Sequence, residues 1–508
     1  MPVTTVELIR RGARQFPDRR AILYDGGVLT FRAVDELSNR FARAFAALGA
    51  AKSARIALLL NNGPYSVPID FACAKAGLAR VPLNTRLSLD EHDRMIKETQ
   101  VETLVYGADL MDRAEALIVR NPHLHGIGLG TARPGDSELL AAAAPLAADD
   151  LALTVEPQDV ILIAYTSGTT GQLKAVRHTQ ASYAAICANI LANLIPVERD
   201  DVMLHAASLI HASGTFVLPF WIRGAASAVL PGFSPNDYLA AIARWRATAI
   251  NLVPTMLQML LATSGVEEAD VSSLRHIVYG ASPMPEPVIR RAMELWGPRF
   301  VQYYGQTEAP LCISVLRPED HRPERLGSCG QPAVEAEIRI IDPNGRDLAP
   351  GETGEIAVRA PFVMAGYFRA PDLDALAFLP GGWLRTRDVG RFDAEGYLYL
   401  VDRTSDMIIT GGYNVYPREV EDVLLAHPAV QECAVVGLPD PVWVEAVTAF
   451  VVRRPGVGVT EGELMRFVHE KIAAYKAPKA VRFIEAIPKS PVGKVLRRAL
   501  RDAQRKAE

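Results

Sequence analysis

Short, continuously apolar runs separated by stretches of helical spacing constrain the fold of this chain more than any other feature. Residues 56–60, 104–106, 160–164 and 277–279 are too short for helices and read as buried strands. Residues 31–48 and 287–295 place apolar side chains at helical intervals. Such alternation predicts parallel sheets covered by helices. After about Val334 the pattern changes. Residues 337–340 and 355–358 alternate polar with apolar around the turn-forming Asp342-Pro343-Asn344-Gly345, which predicts a small antiparallel sheet region. From Val401 onward a compact unit follows: a helix at 417–425, an apolar run at 434–436, a strand at 446–452, a helix at 461–472 and a basic tail. Residues 139–148, rich in alanine, fit a surface helix and loop. The expected class is α/β: a large N-terminal domain, 1–402, of parallel α/β sheets plus a small antiparallel sheet region, then a small α+β C-terminal domain, 403–508.

The densest chemistry lies at the end of the run 160–164. There Thr166, Ser167, Gly168, Thr169, Thr170 and Gly171 lead to Lys174. The glycines permit a tight turn in which several peptide N–H groups converge on one anion, and the hydroxyls and lysine add donors and charge. At a strand's carboxyl end in an α/β pattern this points to a nucleotide enzyme. The same residues also fit a solvated Ser/Thr/Gly loop. A Walker loop is excluded, because Ala175 follows the lysine where Ser or Thr would be needed.

The 508 residues carry 54 basic against 58 acidic side chains, so no global field recruits nucleic acid or an anionic membrane. Five scattered cysteines show neither Cys-x-x-Cys nor metal-ligand spacing, which fits a reducing cytoplasm. No run approaches the ~20 apolar residues that span a bilayer, and residues 1–20 lack an apolar signal core. The expectation is a soluble, cytoplasmic protein without a transmembrane segment or nucleic-acid partner. A homodimer is left open.

Four further segments look like active-site loops: Tyr279-Gly280-Ala281-Ser282-Pro283; Tyr303-Tyr304-Gly305-Gln306-Thr307-Glu308; Trp383 to Asp388; and Asp402-Arg403 running to Gly411-Gly412. They offer small residues beside which a ring can lie, a stacking aromatic, carboxylates for a metal or ribose, and a permanent cation. With them the chain resembles, in order and over nearly its whole length, the acyl/aryl-CoA synthetases of the adenylate-forming superfamily. The resemblance implies two steps: a carboxylate attacks the α-phosphate of ATP to give acyl-AMP, and coenzyme A then displaces AMP. It implies that Thr166 to Lys174 hold the β- and γ-phosphates, Glu308 binds Mg²⁺ and Thr307 contacts the α-phosphate. Tyr304 with Gly280, Ala281 and Ser282 would frame adenine. Asp388 would take the ribose, and Arg403 the ribose and phosphate region. Lys494 matches the catalytic lysine of the adenylation step, although alone it also reads as part of a solvated basic tail.

The same likeness implies a small domain that rotates between two poses about Ser405, and a coenzyme A site near Gly411, Gly412 and Trp443. The acid pocket would involve His211, Gly214, Val253, Tyr279, Ala309 and Pro310. Its lining is small or apolar, without an ion to pair a charged tail, so a neutral aliphatic or aromatic acid is expected. Departures from the family pattern are Leu173 for proline, and Ala175, Arg387 and Val444 for glycines. At the hinge, serine stands where Asp or Lys is usual. Two alternatives stay open: transfer of acyl-AMP to a separate carrier protein, and an inactive acyl-nucleotide-binding relative.

Overall fold

The structure is a computed structural model that describes residues 2–167, 173–209, 212–403, 406–410, 413–441, 443–489 and 495–505. Four sheets organise these residues. The largest has nine strands; its central members, 300–306, 276–280, 249–252, 202–205, 226–229 and 20–24, run parallel. The second has seven, with 125–129, 103–107, 55–59, 79–82 and 160–167 parallel. Helices Phe31–Ala47, Ser66–Lys75 and Gln180–Asn193 cover them, as the alternating pattern requires. A five-stranded antiparallel sheet spans residues 337–403, and residues 408–483 form a fourth sheet of their own.

One strand departs from the parallel scheme where it matters. Val160–Ser167 is followed not by a helix but by Leu173–Thr179, which returns antiparallel with Thr166 opposite Lys174. Residues 168–172, which lie outside the described residues, connect these two strands. Lys174 stands on a strand, one pair below the end of the ladder.

The helices 66–75 and 31–47 are tied together by a fully buried lysine. The ammonium of Lys75 donates to Asp35 Oδ1 at 2.6 Å, Asn39 Oδ1 at 2.7 Å and Ser38 Oγ at 2.8 Å. Burial pulls its pKa down, and Asp35 opposes that pull. Lys75→Ala leaves three acceptors facing a void. A loss of about 3–5 kcal/mol is expected, read as a lower urea midpoint at unchanged slope.

At the end of the antiparallel sheet, Asp402 accepts the backbone N–H of Arg418, in the first turn of helix Pro417–Leu425, at 3.0 Å. Asp406 accepts from Arg497 at 3.3 Å and Arg501 at 3.2 Å, both on the last helix, Arg497–Arg505. Residue 406 is thus anchored within the C-terminal unit. The hinge candidate Ser405 lies outside the described residues.

Candidate active site

The hairpin lysine and the 307–308 carboxylate turn are joined by a residue that sequence reading passed over. Tyr367 lies alongside the second hairpin strand, bridged to Val176. Its hydroxyl donates to Glu308 Oε1 at 3.0 Å, and the Lys174 ammonium stands 5.6 Å from the centre of its ring. Burial, reinforced by the Glu308 charge, raises the phenol's pKa, so it remains a donor. The Glu308 carbonyl in turn accepts the Met364 N–H at 2.8 Å. One tyrosine thereby fixes the spacing between a cation and an anion far apart in sequence. Thr166, opposite Lys174, is half-buried; residues 168–172 lie outside the described residues.

A second unread residue supports the same turn from below. His178, on strand Leu173–Thr179, meets the Thr307 carbonyl at 2.8 Å through Nε2. Burial lowers its pKa to about 4, so the ring is neutral and Nε2–H donates. His205, buried between Ser213 at 2.9 Å and Ser227 at 3.2 Å, is pushed down to about 3 by burial and steadies the segment leading to Gly214. Burial shifts His92, His276 and His321 in the same direction. Such rings are neutral when folded and take a proton after unfolding, so acid favours the unfolded chain. Stability is expected to be level above about pH 6.5 and to fall from there toward pH 4, by up to about 1.4 kcal/mol per pH unit for each of His178 and His205. Urea titrations at pH 7, 6 and 5 measure this; a midpoint independent of pH would contradict it.

The adenine and ribose candidates converge. Tyr304, on strand Phe300–Gln306, donates its hydroxyl to Asp388 Oδ2 at 2.7 Å, and both are buried. Gly280 is required by close packing, because a Cβ there would strike the Tyr303 carbonyl and ring. Ala281 follows with φ +68° and is exposed, beside half-buried Ser282. Arg387 and Val444 hold φ values of +64° and +70°. At these two departures from family glycines the backbone keeps the glycine-type conformation, at a cost of about 1–2 kcal/mol per site, whereas Ala175 sits in an ordinary strand.

Two of the acid-pocket candidates pack in or against one core cluster. Tyr279 points to one face of the sheet, where its hydroxyl meets Gln302 and His321, each at 3.1 Å, in a core cluster with Phe300. Val253 packs against that same cluster. On the other face lie Val278, Val301 and Tyr303, with Ala309 and Phe216 in the same cluster; Pro310 is half-buried. Gly214 admits no side chain, because a Cβ would collide with the Leu209 carbonyl. It lines a small cavity with Leu58, Leu60, Val67, Leu209 and Val217.

In the C-terminal unit, Trp443 is 39% exposed and the Lys479 ammonium stands 4.9 Å from its ring centre. His211, Gly411, Gly412 and Lys494 lie outside the described residues, as does the side chain of Arg403, which ends strand Leu398–Arg403. All five cysteines are buried and unpaired, and no helix among the described residues is long and apolar enough to cross a membrane.

The family model described as AMP-binding enzyme matches residues 9–368, and that of the AMP-binding enzyme C-terminal domain matches residues 419–494. A feruloyl-CoA synthase of an Amycolatopsis species is 35% identical over 493 residues, covering 97% of either chain. A medium/long-chain-fatty-acid–CoA ligase of Mycobacterium tuberculosis is 36% identical over 508 aligned residues, covering 96% of this chain and 88% of its own. Among solved structures, the amide bond synthetase McbA from Marinactinospora thermotolerans superposes with TM-score 0.91 at 31% identity, covering 98% of this chain and 99% of its own. With both family regions matched in order and relatives of this identity along almost its full length, the chain belongs to the AMP-binding enzymes and is an adenylate-forming acid–thiol ligase.

Proposed function

We propose that the enzyme activates an uncharged-tailed aliphatic or aromatic acid with ATP and passes the acyl group to coenzyme A. The acid's carboxylate oxygen attacks the α-phosphorus and pyrophosphate leaves; the thiolate then attacks the acyl carbonyl and expels AMP. The observation that carries this reading is the Lys174–Tyr367–Glu308 arrangement beside the Tyr304–Asp388 pair. A cation, a carboxylate and a ribose acceptor held by these contacts support the reading. Lys174 and residues 168–172 hold the terminal phosphates, and Thr307, its carbonyl fixed by His178, faces the α-phosphate. Donors set in advance around developing charge lower the barrier by several kcal/mol. Arg403 and Lys494 supply the remaining positive charge. Trp443 offers a stacking surface for the coenzyme A nucleotide.

The donor chemistry at Glu308 fits magnesium. One carboxylate oxygen is held by Tyr367, and the other accepts no hydrogen bond among the described residues. No cluster of three potential metal-binding side chains occurs among those residues. Magnesium binds in this manner, through one or two carboxylates together with substrate phosphates. When bound it neutralises phosphate charge. Tyr367→Phe keeps the ring beneath Lys174 but frees Oε1 to reorient. It is expected to raise about tenfold the magnesium concentration needed for half-maximal binding of a fluorescent ATP analogue. An unchanged magnesium requirement would contradict the positioning role.

Division of the chain into a large domain, 1–402, and a mobile small one, 403–508, with Ser405 as pivot, fits the anchoring of Asp406 to the last helix. A cytoplasmic location suits the five buried thiols. Acid-dependent pyrophosphate release across a panel of acids, followed by thioester formation with coenzyme A, tests the reaction. Acyl-AMP accumulating beside unused coenzyme A would reject transfer to the free thiol, and silence across the panel would reject the activity.

A further inference from the structure

Two buried polar groups on one face of the large sheet lack well-formed hydrogen bonds. Asn251 stands on strand Ala249–Leu252 and Tyr303 on Phe300–Gln306, separated by strand His276–Gly280. Asn251 is in register with Val278, and Tyr303 with Gly280. Alternation along the strands puts Asn251 on the face of Ala249, Val278 and Tyr303, opposite to Ile250, Leu252 and Tyr279. Gly280 has no side chain, and the Tyr303 ring lies so near it that a Cβ would be 2.9 Å away. The ring therefore leans across the middle strand toward Asn251. Asn251 is 5% exposed and Tyr303 3%, yet neither the amide Nδ2 nor the phenol oxygen makes a hydrogen bond of good geometry; their one polar contact is a weak bond from the Asn251 amide to the phenol. Burial pushes the Tyr303 phenol up to about 12, and the neighbouring Asn251 amide opposes the shift. The two groups are thus close to each other without a satisfying bond.

A buried donor left unmade costs about 1–3 kcal/mol. Two such groups together, toward the carboxyl ends of parallel strands where α/β proteins bind ligands, call for an occupant. We propose that Asn251 and Tyr303 form a polar subsite for the tail of the acid, receiving an uncharged oxygen such as a phenolic hydroxyl. Asn251 Nδ2 donates to that oxygen, and the Tyr303 hydroxyl exchanges a hydrogen bond with it. Both side chains are neutral, so a carboxylate tail gains no counter-charge from them. The inference rests on the acid–CoA ligase reading and narrows its substrate to oxygen-bearing acids, aromatic ones foremost. Rejection of the analogue lacking the oxygen follows from the groups then left unpaired.

The test uses matched acids: 4-hydroxycinnamate against cinnamate, and 10-hydroxydecanoate against decanoate. For each pair kcat/KM of AMP formation is measured with the wild-type enzyme, Asn251→Leu and Tyr303→Phe, the second variant retaining the ring on Gly280. The wild type should favour the oxygenated member of at least one pair by about tenfold or more, and either variant should collapse that ratio toward unity. Equal use of both members of every pair by the wild type would overturn the proposal. So would variants that slow both members alike and leave the ratio unchanged, since the two groups would then only pack against each other. Turnover of the unsubstituted acids in either case leaves the ligase reading standing, whereas absence of AMP formation from every acid removes both.

Discussion

Lys494→Ala is expected to lower acid-dependent pyrophosphate release by about 10²–10³-fold, while thioester formation from supplied acyl-AMP falls by less than about tenfold. Residues 490–494 lie outside the described residues, but both ends of the segment are fixed. Lys489 and Val495 form an antiparallel bridge, and the Leu496 N–H donates to the Pro488 carbonyl at 2.8 Å. The Lys489 ammonium pairs with Glu432 at 2.8 Å, on the long strand Val430–Asp440 of the fourth sheet. The described residues on either side of Lys494 therefore belong to the C-terminal unit. In the first half-reaction two anions approach around phosphorus, and a cation between them has its full effect. In the second half-reaction a thiolate attacks a carbonyl already activated by AMP, and that cation is no longer required. Equal losses in the two assays would show that the role is wrongly assigned.

Glu308→Gln is expected to reduce pyrophosphate release about 100-fold at every magnesium concentration. The amide keeps the side chain's shape, and its oxygen still accepts from Tyr367, so folding should be little affected. What disappears is the negative charge proposed to hold magnesium. This separates the substitution from Tyr367→Phe, which leaves that charge in place and whose deficit extra magnesium should restore. Initial rates across a magnesium titration distinguish the two. A Glu308→Gln enzyme rescued by magnesium, or as active as the wild type, would remove Glu308 from the metal site.

The parallel sheets were legible because strands such as 56–60 and 277–279 are buried on both faces and carry no polar interruption. Strand Leu173–Thr179 was not, because Lys174, Arg177 and His178 break the apolar run. Only the ladder with Val160–Ser167 identifies it. Motif spacing brought Glu308, Tyr304 and Asp388 forward as candidates, and the last two meet in space although 84 positions separate them. Tyr367 and His178 gave no local signal: their functional contacts, Glu308 and Thr307, lie 59 and 129 positions away. The facing of Tyr279 was equally hidden. A continuous apolar run leaves open which alternate residues share a face, and the structure groups Val278 with Tyr303 and sets Tyr279 opposite them.

The account depends on one bond, between the acid's carboxylate oxygen and the α-phosphorus. Turnover of an acid labelled with oxygen-18 in its carboxylate, in the presence of ATP and coenzyme A, tests it most directly by mass spectrometry of the products. The prediction is one labelled oxygen in AMP and none in pyrophosphate. Label in pyrophosphate or inorganic phosphate, or unlabelled AMP beside newly formed thioester, would contradict it.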